Sequence, residues 1–301
     1  MSQILTGRVD ETKTTVPDLE SKRRDAARKT LSRIPAWVLI GVILVIVLYP
    51  MLWMLLSSFK TNAEFSLEPF WALPSALNWQ NYAVAWTSGM STYFLNSVIV
   101  VFPSLALILV ISTAASFALE VMLWRGRNTI LLIFLAGIMV PVQMVLLPLF
   151  TIYFQAGLID TRWALIISDT VFGLPLSVFL MAGFFKAVPR AIIDAAILDG
   201  ANIYQIFYRV AVPMVANGLL TIALVEFFFW WNDLLFPLTF ISSDSNRTIP
   251  IGLLNFTGEH GSTDWGPTFA AICLTVFPTL ILYIVLNQKV IKGLTAGAVK
   301  G

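Results

Sequence analysis

The sequence predicts an all-α protein that crosses a membrane six times. Composition gives the first reason: 58% of the 301 residues are apolar and 12% charged, whereas soluble domains carry about 25% charged residues. The second is a set of long uncharged runs, and the third is the way lysine and arginine are sorted between the segments joining those runs.

No acidic or basic side chain lies between Arg33 and Lys60, Glu68 and Glu120, Arg127 and Asp160, or Asp264 and Lys289. The stretch from Trp163 to Phe185 is broken only by Asp169, and that from Met214 to Ile241 only by Glu226 and Asp233. A spanning helix needs about 20 mainly apolar residues. The expected spans are therefore 36–58, 93–119, 129–152, 163–185, 214–241 and 267–288. They form one transmembrane domain over 36–288, preceded by a basic tail (1–35) and followed by a short tail (289–301).

Six spans put both termini on one side. The segments on that side hold 16 of the 19 lysines and arginines, and the opposite loops hold only Lys60, Arg162 and Arg247. Positive residues favour the cytoplasmic side, so both termini are expected in the cytoplasm. The run "ESKRRDAARKTLSR" is basic enough for nucleic acid or anionic lipid, but as the charge that completes this bias it reads as a cytoplasmic anchor with no nucleic-acid partner. The first 35 residues are too polar and too long for a signal peptide.

Along the chain, the first outward loop, 60–92, carries "EPFWALPSALNWQNYAVAW". Its Pro, Asn and Trp content predicts a folded cap at the headgroup level. The outward loop near 155–162 is short, and that over 242–266 is long and polar. The inward turn "LWRGRN" is tight. The inward loop 186–213 is longer and has helical pattern of its own.

Catalysis starts badly. No phosphate-binding GxxxxGK[ST] loop is present. The single cysteine, Cys273, and single histidine, His260, fall on different elements. That leaves no nucleophile–base set and no transition-metal ligand cluster, and His260 reads as a solvated loop residue. The ionisable groups inside spans are Asp169, Glu226 and Asp233. Because a charge at mid-membrane is costly, they are either pathway residues, with Glu226, Trp230, Trp231, Asn232 and Asp233 around a polar cavity, or helix-to-helix hydrogen-bonding groups.

The inward loop reads as a helix–turn–helix. Pro189 opens it, Arg190 to Leu198 are good helix formers, and Asp199-Gly200 is a turn signal. After the turn Ile203, Ile206, Phe207 and Val210 follow amphipathic helical spacing, and Pro213 marks the next boundary. Such a unit is either a docking element or a helix resting on lipid headgroups.

The order Asp194-Ala195-Ala196, Gly200, Val210 and Pro213 resembles the EAA motif of ABC importer permeases, E-A-A-x3-G-x9-I-x-L-P. Every spacing fits, with Asp for Glu and Val for Ile and Leu. "LNWQNY", "PLSVFLMAGFF", "WWNDLLFPL" and "VIKGLTAGAVKG" extend the resemblance to the maltose-type, MalG-like carbohydrate branch. The resemblance implies the MetI/MalG-like permease fold, and pairing with a second, MalF-like permease. It also implies an ATPase dimer that uses ATP and Mg, and an extracytoplasmic solute-binding protein that delivers a sugar or oligosaccharide. The chain itself would bind no cofactor and catalyse nothing. Its coupling helix would seat on the ATPase through Asp194, Ala195, Ala196, Asp199, Gly200, Ile203, Ile206, Phe207, Val210 and Pro213. Asp194 would face a basic group there, and the end from Gly293 to Gly301 would be small and flexible, reaching toward the ATPase. A permease for a non-sugar solute, an ion-coupled transporter acting alone and a non-transporting scaffold are the other readings; the last two leave the EAA spacing unexplained.

Overall fold

The computed structural model of the chain describes residues 19–256 and 263–298, with side chains over 35–256 and 263–284. His260, residues 1–18 and residues 299–301 lie outside the described residues. The chain divides into two compact units, 1–53 and 54–301. The first consists, where described, of helix α1, Leu19–Ser57, whose last turn enters the second unit. It starts well before the first expected span, because the basic tail is built from helix formers. From Trp37 to Tyr49 large apolar side chains stand exposed, as a lipid-soluble helix requires.

Among its described residues the regular structure of the second unit is all helix, joined by turns and irregular loops. Helices α2 (Asn62–Leu67) and α3 (Gln80–Ala85) build the first outward loop. A π-helical turn, Trp86–Met90, leads into α4, Ser91–Glu120. Then come α5 (Arg127–Ile138), α6 (Val142–Gln155), α7 (Arg162–Lys186) and α8 (Arg190–Leu198). Helix α9, Ile203–Met214, has a π-helical middle at Ile206–Ala211. Helices α10 (Ala216–Trp231), α11 (Leu235–Phe240) and α12 (Trp265–Ala298) follow, with short helical turns at Asp244–Asn246, Ile249–Gly252 and Leu253–Phe256 between the last two.

Four helices are long and apolar enough to cross a membrane alone, and two bent pairs raise the number to six. The third span is not one straight helix. Helices α5 and α6 meet at 96°, because Pro141 supplies no N–H and keeps its predecessor out of the helical region. The second bent pair is α9 with α10, at 71°, and the apolar run expected as the fifth span breaks again between Trp231 and Leu235. The expected small, flexible end at 293–301 is instead helical to Ala298; that run holds no proline to stop it.

The centre of the bundle is the pairing of α4 with α7, the most extensive between any two helices. Small and hydroxyl side chains line this region: Ser104, Ser112 and Ser116 of α4 and Gly173 of α7 are buried, as are Ser168 and Ser177 of α7, whose hydroxyls meet Tyr153 and Glu226. Small residues let helix backbones approach in lipid. Ser116 Oγ donates across the seam to the Val178 carbonyl at 2.9 Å, and Ser168 Oγ donates to Ala164 of its own helix at 2.7 Å.

Polar contacts sort the molecule into two ends. At one end the outward loops are pinned together. Asn81 Nδ2 donates to the Ser58 and Lys60 carbonyls, and Asp160 Oδ1 accepts from the Ser242 and Ser243 amides. Tyr93, Asn96 and Ser97 of α4 hold the 244–249 segment there. Lys60, Arg162 and Arg247 all lie in this end, while Arg127 and Arg190 mark the other, where α4 finishes.

Within the cap, Thr61 and Glu64 form a capping box at α2. The Glu64 carboxylate also accepts from the Ser75 hydroxyl at 2.6 Å and the Ser75 amide at 2.7 Å. The Ser75 hydroxyl, with the Thr61 and Ser75 amides, pulls its pKa down to about 2, against about 4.3 unfolded. A carboxylate lowered in the folded state contributes stability above the unfolded value and loses it as pH falls through the folded one. Acidification from about pH 4 to 2 is therefore expected to loosen the cap, read as a change in Trp71 and Trp79 emission that a Glu64→Gln chain does not show over that window.

At the centre, a Cβ on Gly173 would sit 2.6 Å from Ile108 Cδ1 and 2.9 Å from Glu226 Oε2. Gly173→Ala should cost about 1–3 kcal/mol by overpacking, and Gly173→Leu more. Because Cys273 is buried and the only cysteine, the temperature at which it becomes reactive to a thiol dye reports this loss.

Candidate functional site

The inward end is built around the 186–213 loop. Helix α8 starts after Pro189, whose extended ψ of 125° feeds the first turn. Gly200 ends the unit with φ +79°. A Cβ there would meet nothing within 4 Å, so the demand for glycine is backbone conformation, not crowding. Asn202 then opens α9 through a reciprocal cap. Its side chain accepts from the Gln205 amide, and Gln205 Oε1 accepts from the Asn202 amide, both at 2.9 Å. This box is legible in the sequence as Asn-x-x-Gln.

The structure gathers Ala196, Asp199, Gly200 and Val210, with Gln205 and Arg209, around one concavity of about 410 Å³. Ala195 and Pro213 are exposed. The other motif residues are placed differently. Ile206 is 2% exposed and packs, with Ile193, against Phe117, Val121 and Phe185 of this chain. Phe207 stacks edge-on to Phe117 at 5.0 Å. The amphipathic face of α9 therefore rests largely on the chain's own bundle, correcting the expectation that Ile206 belongs to a face presented to a partner. Periodicity reveals a face to be buried, not what buries it. The side turned outward carries Ile203, Tyr204, Tyr208 and, on α8, Leu198, all exposed. Asp194 is half-exposed and paired with Arg190 in its own helix, Nε to Oδ1 3.5 Å.

The second set of candidates, on α10 and α11, separates. Glu226 is 2% exposed. Its Oε1 accepts from Ser177 Oγ and its Oε2 from Trp230 Nε1, each at 2.8 Å. Both residues border a cavity of about 220 Å³ walled by Phe172, Pro175 and Phe229 and by the α5–α6 break at Gly137–Val142. The rest of the run does not join them. Trp231 is buried, stacked on Phe227 at 5.2 Å. Asn232 is exposed and donates to the Phe228 carbonyl. Asp233 accepts from the Leu235 and Phe236 amides at 3.0 and 3.2 Å, which makes it the N-terminal cap of α11. The expected polar cavity of five residues contracts to Glu226 and Trp230. Asp169 is buried beside Ser104 Oγ at 3.5 Å and lies within electrostatic range of Asp233 and Glu226.

A family model described as "Binding-protein-dependent transport system inner membrane component" matches residues 90–289, from the second span through the inward loop into α12. The chain belongs to this family. It is thus a multi-pass inner-membrane permease, and the match contains both candidate sites. Among curated relatives, the permease is 35% identical to a diacetylchitobiose uptake system permease protein of Streptomyces coelicolor, over 84% of each chain. It is 32% identical to an arabinooligosaccharides transport system permease protein of Halalkalibacterium halodurans, covering 91% of this chain and 99% of the relative. A crystal structure of a bacterial ABC transporter that imports the acidic polysaccharide alginate contains a chain of the same fold, with TM-score 0.78 and 20% identity, covering 87% of the permease and 97% of that chain.

The turn at Gly200 can be tested within the permease. Asparagine tolerates a left-handed backbone and β-branched residues do not. Gly200→Asn should leave the permease's thermal midpoint close to wild type, and Gly200→Val should lower it by an amount equivalent to roughly 1–2 kcal/mol. Equal behaviour of the two variants would mean that side-chain volume, not φ, sets the requirement.

Proposed function

We propose that this permease is one half of the pathway of an ATP-driven sugar importer and that the 186–213 loop is its seat on a separate ATPase. The observation that carries the reading is the Asp194-to-Pro213 motif spacing, borne on a solvent-exposed helix–turn–helix that is capped at Asn202, turned at Gly200 and followed directly by span α10. A surface joined in this way to a span can pass displacement into the membrane. Ala196, Asp199, Gly200 and Val210 contribute the concave part of the seat, with Gln205 and Arg209 beside them.

The relatives named for diacetylchitobiose and arabinooligosaccharides support an oligosaccharide as cargo. A second permease completes the pathway, an ATPase dimer binds ATP and Mg, and a solute-binding protein docks at the outward end. The chain is non-catalytic. The sorting of basic residues supports cytoplasmic termini. The stretch of pathway it contributes is the Glu226–Trp230 cavity. Irregular backbone at membrane depth is tolerated where it is buried in protein or lines water, and the 138–141 break borders this cavity. An indole face and a carboxylate acceptor suit the apolar face and hydroxyls of a sugar ring.

The test is uptake of labelled oligosaccharide by proteoliposomes. The permease with its partner permease, ATPase and binding protein should accumulate sugar only when ATP is supplied, and the permease alone should give none under a proton or sodium gradient. Gradient-driven uptake by the isolated chain would overturn the proposal. In the working complex, Trp230→Ala should raise the sugar concentration for half-maximal uptake severalfold, the loss of one hydrogen bond and one stacking face.

A further inference from the structure

The inward end of α4 contains an interaction that neither the motif nor the pathway uses. The last carbonyls of a helix have no partners within it. Side chains meet one of these, at Ala118, and the two carbonyls that follow the helix end, at Val121 and Met122. The Ala118 carbonyl accepts from Trp124 Nε1 at 2.8 Å, the Met122 carbonyl from Arg127 Nη1 at 3.4 Å, and the Val121 carbonyl from Arg190 Nη1 at 2.5 Å. Trp124 belongs to the adjoining turn and Arg127 opens the helix that follows it, α5. Arg190 does not: it is the first residue of α8, 69 positions along the chain.

Around Arg190 the packing is open. On one side lies a cavity of about 300 Å³ bordered by Met122, Trp124, Ile197 and Ile203, and on the other one of about 170 Å³ bordered by Glu120, Phe185 and Val188. Val121, Arg190 and Ile193 border both. Helix α8 therefore meets the end of α4 through apolar packing centred on Ile193 and one directed bond, from Arg190. The same guanidinium is held by Asp194, one helical turn on.

We propose that Arg190 is a positioning residue: its guanidinium tethers the coupling helix to the end of α4, and Asp194 aims it. The proposal rests on the reading of 186–213 as the ATPase seat. A tightly packed junction would transmit displacement through side-chain volume alone. Flanked by two voids, this one is free to rock about Ile193, and the bond from a charged donor to a helix C-terminus, favoured by the helix dipole, obliges α4 to follow. The carboxylate at the first motif position thus acts inside its own helix. A lysine at 190 keeps the charge and reaches the carbonyl, but lacks the planar fork that serves Val121 and Asp194 together.

The experiment uses the complete transporter in proteoliposomes and reads sugar taken up per ATP hydrolysed, with co-purification of the ATPase as the assembly check. Arg127→Ala is the control, since it strips a neighbouring carbonyl of the same helix end without touching the coupling loop. Arg190→Ala should retain the ATPase and hydrolysis but lower uptake per ATP roughly tenfold, the equivalent of one lost charged hydrogen bond. Arg190→Lys and Asp194→Asn should fall between it and wild type, and Arg127→Ala should match wild type. Equal ratios for Arg190→Ala and Arg127→Ala would overturn the tether. So would loss of the ATPase from an otherwise folded Arg190→Ala complex, which would make Arg190 a docking residue. If Arg190→Ala does not fold, wild-type ratios in both Arg190→Lys and Asp194→Asn overturn it equally. Absence of ATP-dependent uptake in the unsubstituted complex would instead sink the importer reading itself.

Discussion

Close approach of α4 to α7 is the constraint on which the rest of the bundle depends. Lipid tails are as apolar as leucine, so spans gain nothing from hiding apolar surface from one another; packing and hydrogen bonds must hold them. The seam meets this with serines and with Gly173, and its hydroxyls return to carbonyls of the same or the facing helix. The same seam accommodates Glu226. Ser177 provides a donor and Gly173 the space for its carboxylate, so a group that would be expensive in hydrocarbon is fixed where α4, α7 and α10 converge.

The two ends of the molecule are organised in different ways. The outward end is dense with side-chain hydrogen bonds that lock loop to loop. The inward end divides the faces of α8 and α9 between two uses: Ile193 and Ile206 close the chain's own core, and Ile203, Tyr204, Tyr208 and the Gly200 concavity remain open. An anchored back and an open front are what a lever needs. On the proposed reading, docking strength and transmission can then be altered by different residues.

Much of the fold is legible in the sequence because the bilayer imposes length and polarity rules that act on composition alone. Six apolar runs, short connections and sorted charges follow from those rules, and the coupling loop follows from motif spacing. What composition does not carry is direction. The 96° bend at Pro141 leaves hydropathy unchanged, so the third span reads as one helix although the proline is a visible signal. "WWND" reads as one polar patch, yet a helix end at Trp231 turns neighbouring side chains to different surroundings and makes Asp233 a cap. Arg190 counts in the sequence only as one of many basic residues, because its acceptor is a backbone carbonyl far along the chain, and carbonyls have no sequence signature.

Helix α4 has 30 residues and so runs about 45 Å, the depth of a bilayer with its headgroups. Its outward end grips the 244–255 segment through Tyr93, Asn96 and Ser97, and its inward end is held from the coupling loop. Sites joined through one body obey thermodynamic reciprocity: whatever factor one ligand imposes on the affinity of the second, the second imposes on the first. On the proposed reading of the inward loop as an ATPase seat, a protein that settles on the outward loops and favours one tilt of α4 would change the hold of the ATPase on the opposite face, and nucleotide state there would change the grip on the outside by the same ratio. On these terms the permease is a balance beam, and the loading of either pan can be read from the other.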